Sequence, residues 1–372
     1  GANSPRAGSC TCSPPTPSLS APLARKRTKS ANSITACSSA ISLCICNDAR
    51  LAAAGGRTRG KGASVIRHIF IINPAAGKRE TTRRLEEQLS RLSVPHEVFY
   101  TREAGEARKI AERAAAEGVP ARLYACGGDG TLNEVVNGAA GHDFLAVTNV
   151  PKGTGNDFLK LFGPRYRERF SDLEALAAGP QTAFDLMDCN GKLGLDVICA
   201  GVDARIAAGV HRYKRLKGVS GRWAYLLSLA EQVFLRGITR PMTVEMGARR
   251  WEEVPTAVLC ICNGRHYGGG FMPVGDAMPD DGILDALRVG DVGLPTFLRL
   301  VGKYAKGLYW KYPQWIDSYH GREVSFSAQA PITVVVDGEV MEDTRFTVRL
   351  SEKQVNFFYP AGLSYQPEKR RN

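Results

Sequence analysis

From His68 onward the chain falls into short apolar runs separated by polar stretches of helical character. HIFIINP (68–74) is an apolar run of strand length, and a helix is predicted to follow it through 81–92. EVFYT (97–101) predicts a second strand, and 105–117, rich in Ala, a second helix. RLYACGG (122–128) predicts a third strand running into glycines, with a helix from Thr131. FLAVTNVP (144–151) predicts a fourth strand that ends in another glycine turn. Strands alternating with helices predict an α/β fold built on an open, mainly parallel sheet. Ligands of such sheets gather at the carboxyl ends of the strands, where the Gly-rich segments of this chain fall.

After Asp185 the rhythm changes. LGLDVICAGV, MTVEMG, PTAVLCICNG, ILDALRV, EVSFSA, ITVVVDGE and TRFTVRLS are short, β-branched and separated by turns. They predict a C-terminal antiparallel, β-sandwich-like domain, interrupted by helical stretches around 203–236 and 294–310. NFFYP (356–360) is a last strand that could return to the first domain. The expected organisation is a leader over 1–64, an α/β nucleotide-binding domain over 65–190, a β-rich substrate domain over 191–345, and a strand and tail over 346–372.

Charge changes the picture of the leader more than that of the body. Of a net +12, residues 1–64 hold +8, from nine Lys or Arg against the single acidic Asp48. The body is therefore only mildly basic, which argues against nucleic acid as a partner and is compatible with anionic membrane surfaces and nucleotide phosphates. The leader is rich in Ser, Ala, Pro and Gly without a sustained period. Arg25-Lys26-Arg27 before a Ser/Ala/Cys stretch imitates a targeting peptide. It is read instead as a disordered tail or as upstream sequence translated with the gene, outside the fold.

Ten cysteines include three C-x-C pairs but not the C-x-x-C spacing of structural zinc. Cys260 and Cys262, in AVLCICN, read as small buried strand residues, and a reducing cytoplasm is expected. No apolar run approaches the roughly 18 residues of a membrane-spanning helix. Any lipid chemistry must then be done from the bilayer surface.

The most informative segment is Gly127-Gly128-Asp129-Gly130-Thr131-Leu132-Asn133-Glu134, directly after a strand. Glycines let the backbone approach a phosphate, and amides at the following helix start point toward an anion. Asp129 cannot easily face phosphate oxygens, so its role runs through magnesium, water or loop organisation. Alone, GGDG reads equally as a capped strand–helix turn. Asn73-Pro74-Ala75-Ala76-Gly77-Lys78 ends the first strand, however, and Pro151-Lys152-Gly153-Thr154-Gly155-Asn156-Asp157 ends the fourth. Three small-residue loops at one sheet edge favour a nucleotide pocket. The spacing is neither GxxxxGK[ST] nor GxGxxG, which excludes a Walker-type ATPase and an ordinary dehydrogenase.

NPAAGK, GGDGTLNEVVNG, PKGTGNDF, NGRHYGGGFMPVGDAMPDDGILD and VVVDGE occur in that order between Ile69 and Pro360. Together they resemble the bacterial diacylglycerol kinase family, kin to sphingosine and ceramide kinases. The resemblance implies a two-domain enzyme with ATP in the cleft and magnesium as cofactor. It implies that Asn73, Pro74, Ala75, Ala76, Gly77 and Thr101 help close the nucleotide pocket. Gly127, Gly128, Asp129, Gly130, Thr131, Asn133 and Glu134 would surround the phosphates, with Gly153, Thr154, Gly155 and Asn156 opposite. Asp157 and Asp185 match acidic positions that organise the cleft. Asp281 matches a magnesium ligand, with the carbonyls of Met278 and Ile283 as partners. Glu339 matches the catalytic base and Asp337 its supporting acid. The first loop reads NPAAG where many relatives carry a Ser before the Gly, which removes a hydroxyl but keeps the backbone route.

The activity so implied is phosphorylation of a lipid hydroxyl, diacylglycerol first, by a cytoplasmic protein peripheral at the inner face of the membrane. Two segments suit a headgroup interface. Residues 211–217 are densely basic, and 303–312 interleave cations with aromatics, although both also read as solvated helix faces. A homodimer stays open. The competing readings are a soluble-substrate kinase resembling NAD kinase, which shares GGDGT, and a non-catalytic nucleotide- or lipid-binding protein. GTGND, the YGGG…DDG block and the terminal DGE speak against the first. The presence of Asp129, Asp281 and Glu339 speaks against the second.

Overall fold

The computed structural model describes residues 66–214 and 221–366. The expectation for the leader over 1–64 lies outside the described residues, as do positions 215–217 of the basic run.

The N-terminal lobe is built from β1 (Arg67–Ile72), α1 (Arg79–Leu89), β2 (His96–Tyr100), α2 (Glu106–Glu117), β3 (Ala121–Gly127), α3 (Asp129–Ala139) and β4 (Leu145–Pro151). The strands pair in parallel in the order β2-β1-β3-β4, with Ile69 opposite Leu123 and Leu123 opposite Val147. Helices cover both faces, so the central strands are apolar at nearly every position, and Ile69 to Ile72 are all buried. Phe70 stacks on Tyr124, whose far side meets Phe358 edge-on. In α2 the buried residues Ala107, Ile110, Ala111 and Ala114 recur at helical spacing. Their small side chains let α3 come close: a Cβ at Gly138 would stand 2.7 Å from that of Ala111.

The chain then runs through a 3-10 turn (Phe158–Phe162), α4 (Tyr166–Arg169) and α5 (Leu173–Ala177) into β5 (Gln181–Cys189), β6 (Lys192–Gly194) and β7 (Val197–Gly201). Next come α6 (Val202–Lys214), α7 (Gly221–Ala230), a single π-helical turn (Glu231–Leu235), β8 (Arg240–Met246), β9 (Arg249–Thr256), β10 (Val258–Cys262) and β11 (Leu284–Val289). The last elements are α8 (Leu294–Tyr304), a 3-10 turn (Tyr309–Lys311), β12 (Ile316–Gly321), β13 (Glu323–Val336) and β14 (Glu339–Phe358). Pairing within β10–β11–β12, β7–β10, β7–β13, β8–β9, β8–β13 and β13–β14 is antiparallel throughout. This C-terminal lobe is a β-sandwich-like layer around its own core, in which Phe326 stacks on Phe346 across the β13–β14 pair.

β14 joins the two lobes. Its first half pairs with β13; beyond Val348 it pairs with β5, and at Asn356 and Phe357 it lies parallel to β4. The NFFYP segment thus returns to the N-terminal lobe as the end of one twenty-residue strand. Pairing with β5 shifts register between Leu350 and Gln354, where Glu352 and Lys353 are exposed.

The aromatic–cationic run divides between core and surface. Tyr304 and Tyr309 are buried, whereas Trp310 is 54% exposed with the Lys311 ammonium 5.0 Å from its ring centre.

Candidate active site

Parallel pairing sets the ends of β1, β3 and β4 side by side, with Ile72 opposite Cys126 and Gly127 opposite Pro151. The loops that follow are tied together by their own backbones. Asn73 N–H donates to the Cys126 carbonyl (3.0 Å), and its Nδ2 donates to Thr131 Oγ1 (3.1 Å). Its Oδ1 accepts Ala75 N–H (3.0 Å), which closes the NPAAG turn over Pro74 and Ala76. The Gly127 carbonyl accepts from the backbone N–H groups of Lys152 and Gly153 and from Asn156 Nδ2. Two glycines allow the closest approaches. A Cβ at Gly153 would lie 2.6 Å from Gly128 Cα, and Gly77, at φ +75°, would drive one into the Lys152 carbonyl. Thr101, directly after β2, is buried, and its N–H donates to the Ile72 carbonyl.

Helix α3 begins at this point. Gly128 is its N-cap without a side-chain partner for the first turn, which leaves the amides of Gly130 and Thr131 without a side-chain cap. The Asp129 side chain is itself engaged: its Oδ2 accepts Asn156 N–H (2.9 Å) and its Oδ1 accepts Asp157 N–H (2.6 Å). It is the brace of the GTGND loop, at a position where burial and the nearby Asp157 charge push its carboxyl up. Asp157 in turn accepts Gly269 N–H (2.8 Å) and meets Lys160 Nζ (2.5 Å), linking the loop to the C-terminal YGGG segment. Glu134 faces elsewhere and accepts Ala107 N–H (3.1 Å) in the first turn of α2.

The DGE segment is the turn of the β13–β14 hairpin. Asp337 and Gly338 both have positive φ, +46° and +91°, and Val336 pairs with Glu339, the geometry of a two-residue type I′ turn. The Asp337 carboxylate accepts from Leu195, Asp196 and Val197 N–H at 2.6, 3.0 and 3.0 Å and from Asn133 Nδ2 at 3.1 Å. Burial raises its proton affinity while these donors lower it. The turn is thereby pinned to α3. Glu339 emerges beside it, half-exposed and ion-paired with Lys192 Nζ.

Asp185 and Asp281 form a separate network. Asp185 Oδ2 accepts Gly282 N–H (2.9 Å) and its Oδ1 accepts Gln354 Nε2 (2.8 Å), while Asp281 Oδ1 accepts Ile283 N–H (3.1 Å). Burial and the charges of Asp285, Asp280 and Asp185 raise Asp281 to about 6. Among the described residues no group of three or more acidic, His or Cys side chains is placed to hold a metal ion, so a hard cation at this turn would have to take Asp281 together with backbone carbonyl oxygens. Met278 is buried, with its sulfur 3.3 Å from Arg265, and the Ile283 side chain is exposed.

A cavity of about 660 Å³ begins at Asp129, Asn133, Thr154, Asp157 and Gly338 and continues between α6, α7, α8 and the C-terminal sheet. Its inner wall is apolar, from Val202, Ile206, Val210, Leu229, Phe271, Phe297, Leu300 and Val301. Sequence reasoning missed two acids on its wall. Asp196 is buried, with Oδ1 unpartnered among the described residues. Burial and the charges of Asp337, Asp157 and Asp129 push its carboxyl well above the usual range. Asp203 accepts Tyr267 O–H (3.0 Å), and that hydroxyl lies 3.3 Å from the one on Tyr304. Burial holds Asp203 near pKa 6. Nothing in the sequence flags either acid: Asp196 sits in the short link between β6 and β7 and Asp203 in the first turn of α6, with no motif around either.

Comparison with known proteins follows the same division. Residues 67–189 match the family described as the diacylglycerol kinase catalytic domain, and residues 196–358 match the YegS C-terminal NAD kinase beta sandwich-like domain. The chain is 33% identical over 278 residues to the "Probable lipid kinase YegS-like" proteins of two Pseudomonas aeruginosa strains, an overlap of 71% of this chain and 85% of each relative. Among solved structures it is similar to a diacylglycerol kinase from Bacillus anthracis, at TM-score 0.59 and 18% identity, covering 80% of this chain and 98% of that one. That likeness concerns the fold.

Proposed function

The chain belongs to the lipid kinase family defined by the diacylglycerol kinase catalytic domain, and from that premise we propose that it phosphorylates a lipid hydroxyl with ATP and magnesium, diacylglycerol being the first candidate. The lipid would be taken from the cytoplasmic face of a membrane. The observation that carries this reading is the continuity of the cavity, in which the loops suited to phosphates and the apolar chamber share one space. A nucleotide alone has no use for an apolar wall of that extent, whereas acyl chains do.

In this reading the open amides at the start of α3 and the loop of Gly153, Thr154 and Gly155 hold the ATP phosphates. Asp129 keeps that loop closed from behind. The acyl chains lie along Val202, Ile206 and Leu300, which leaves the hydroxyl near the β13–β14 turn. Glu339 takes the hydroxyl proton as the lipid oxygen bonds to the γ-phosphorus; the bond from that phosphorus to the bridging oxygen breaks, and its electrons leave with ADP. Asp337 fixes the turn and hence the direction of Glu339. Magnesium would be held by Asp281 with the Met278 and Ile283 carbonyls, where its charge offsets the crowded carboxylates of that turn.

The test is transfer from γ-labelled ATP, with magnesium, to mixed micelles of diacylglycerol, a sphingoid base, phosphatidylglycerol and a polyprenol, with NAD in a parallel tube. Label in phosphatidic acid supports the reading. Label in another lipid keeps the chemistry and changes the substrate, and label only in NADP overturns the lipid acceptor.

A further inference from the structure

Five aspartates line the cavity, and four of them have donors. Asp129 and Asp337 accept backbone amides, Asp157 accepts Gly269 N–H, and Asp203 accepts Tyr267 O–H. Asp196 is the exception: among the described residues neither carboxyl oxygen has a hydrogen-bond partner or an ion pair. The residue is nonetheless held in place. It is 7% exposed, its N–H donates to Asp337 Oδ1 (3.0 Å), and its carbonyl accepts Asn263 N–H (2.9 Å) and Gly264 N–H (2.8 Å). A Cβ at Gly264 would stand 2.0 Å from Asp196 Oδ1, so glycine at that position leaves the carboxyl its room. A buried acid without a donor destabilises the folded chain, and one kept on the wall of a cavity points to a guest that supplies the donor.

We propose that Asp196 binds the acceptor hydroxyl of the lipid: a carboxyl oxygen accepts the hydroxyl's hydrogen bond and holds the acceptor beside the β13–β14 turn. Two observations select a hydroxyl over the nucleotide. The bond to Asp337 sets Asp196 next to the turn that carries Glu339, and Phe158, Leu195 and Val197 line the same cavity. ATP would also bring negative charge to a wall that already holds Asp129, Asp157 and Asp337, whereas a hydroxyl brings the missing donor without charge. Burial and the charges of those three acids keep the proton on the Asp196 carboxyl. It therefore accepts the hydroxyl through its carbonyl oxygen without competing for the proton that Glu339 takes. The inference deepens the lipid-kinase reading and rests on it for the identity of the guest.

The experiment is calorimetric titration of the full chain, without ATP, with monomeric dihexanoylglycerol and with the dihexanoyl ester of propylene glycol, which lacks only the hydroxyl. The wild type is expected to bind the first at least about tenfold more tightly, the worth of one buried hydrogen bond. Asp196→Ala should bring the two esters within about twofold of each other. Asp196→Asn, which keeps a carbonyl oxygen and no charge, should preserve the preference, and its thermal midpoint should not fall because no native side-chain hydrogen bond is removed. In the kinase assay with dihexanoylglycerol, Asp196→Ala should raise KM for the lipid at least about tenfold and leave KM for ATP within about twofold. Equal binding of the two esters by the wild type, or binding of neither, overturns the proposal. So does a preference that survives Asp196→Ala or is lost in Asp196→Asn. A rise in KM for ATP alone would assign the carboxyl to the nucleotide, and a marked fall in the thermal midpoint of Asp196→Asn would assign it to the fold; either overturns the proposal. Because the hydroxyl preference is read without ATP, absence of transfer counts against the function and not against this site.

Discussion

Asn133 Nδ2 donates to Asp337 Oδ2 at 3.1 Å, joining the first turns of α3 to the β13–β14 hairpin across 204 positions of sequence. The contact brings the first turns of α3 to the turn that carries Glu339. It makes the relative position of the two a property of buried hydrogen bonds rather than of loop flexibility.

Asp337→Ala would leave the backbone amides of Leu195, Asp196 and Val197 without their acceptor in a buried place, while Asn133 Nδ2 keeps the Leu193 carbonyl. Unsatisfied buried donors cost about 1–3 kcal/mol each and are not additive, so a loss of about 3 kcal/mol or more is expected. In a chain of this size that corresponds to a fall of roughly 6 °C or more in thermal midpoint, together with loss of transfer. A variant as stable as the wild type would remove Asp337 from the role of anchor.

Glu339→Gln keeps the shape of the side chain and removes its ability to take a proton. Its kcat should fall by about 10²–10⁴, the usual contribution of a positioned base, with KM for ATP within about threefold of wild type. Steady-state kinetics at saturating lipid separate the two parameters, and unchanged kcat would exclude Glu339 as the base.

Gly153→Ala places a methyl against Gly128 Cα, so the loops after β3 and β4 must part. The expected effect is a rise in KM for ATP of at least about tenfold, set by lost closeness to the phosphates rather than by unfolding. Isothermal titration with a non-hydrolysable ATP analogue would read it directly. Undiminished affinity would mean that the phosphates do not sit between these loops.

Asp203 makes stability depend on pH in an unusual direction. Its carboxyl titrates near 3.8 when solvated and near 6 in the folded chain, so the folded state holds the proton more tightly. That stabilisation is complete below pH 4 and disappears as pH rises through 6, by about 3 kcal/mol in total. Urea midpoints from pH 4 to 8 should decline over this window in the wild type. Asp203→Asn should flatten this part of the profile, and an unaltered slope would assign it to other groups.

The fold and the glycine-loop end of the cavity were legible because glycine turns between apolar runs carry their meaning locally. Asn73, Gly127 and Gly153 each end a readable strand, and parallel pairing does the rest. Asp337-Gly338 was legible as part of a motif, and the hairpin turn it forms is what presents Glu339. The apolar end was not legible. Its wall comes from Val202, Leu229, Phe271 and Leu300, which share no motif and meet only when α6, α7 and α8 pack on the sheet. The orientation of α7 was hidden for a similar reason: Leu226 and Leu229 look alike in sequence, and only packing decides which one faces water. Glu134 shows the opposite case, a motif residue whose carboxylate caps a neighbouring helix. The polar stretch Ser351 to Gln354 also reads as a break, yet β14 continues through it with a shifted register.

Sharing β14 has an evolutionary and practical consequence. A gene fragment encoding residues 67–189 alone would lack the strand that lies between β4 and β5, exposing apolar edges on both. The lobes are therefore not interchangeable cassettes, and shuffling either one would need the last twenty-residue strand to travel with both. Supplying residues 190–366 in trans should rescue such a fragment, as a split reporter is rescued by its missing piece, and soluble expression of the fragment by itself is the outcome that would say otherwise.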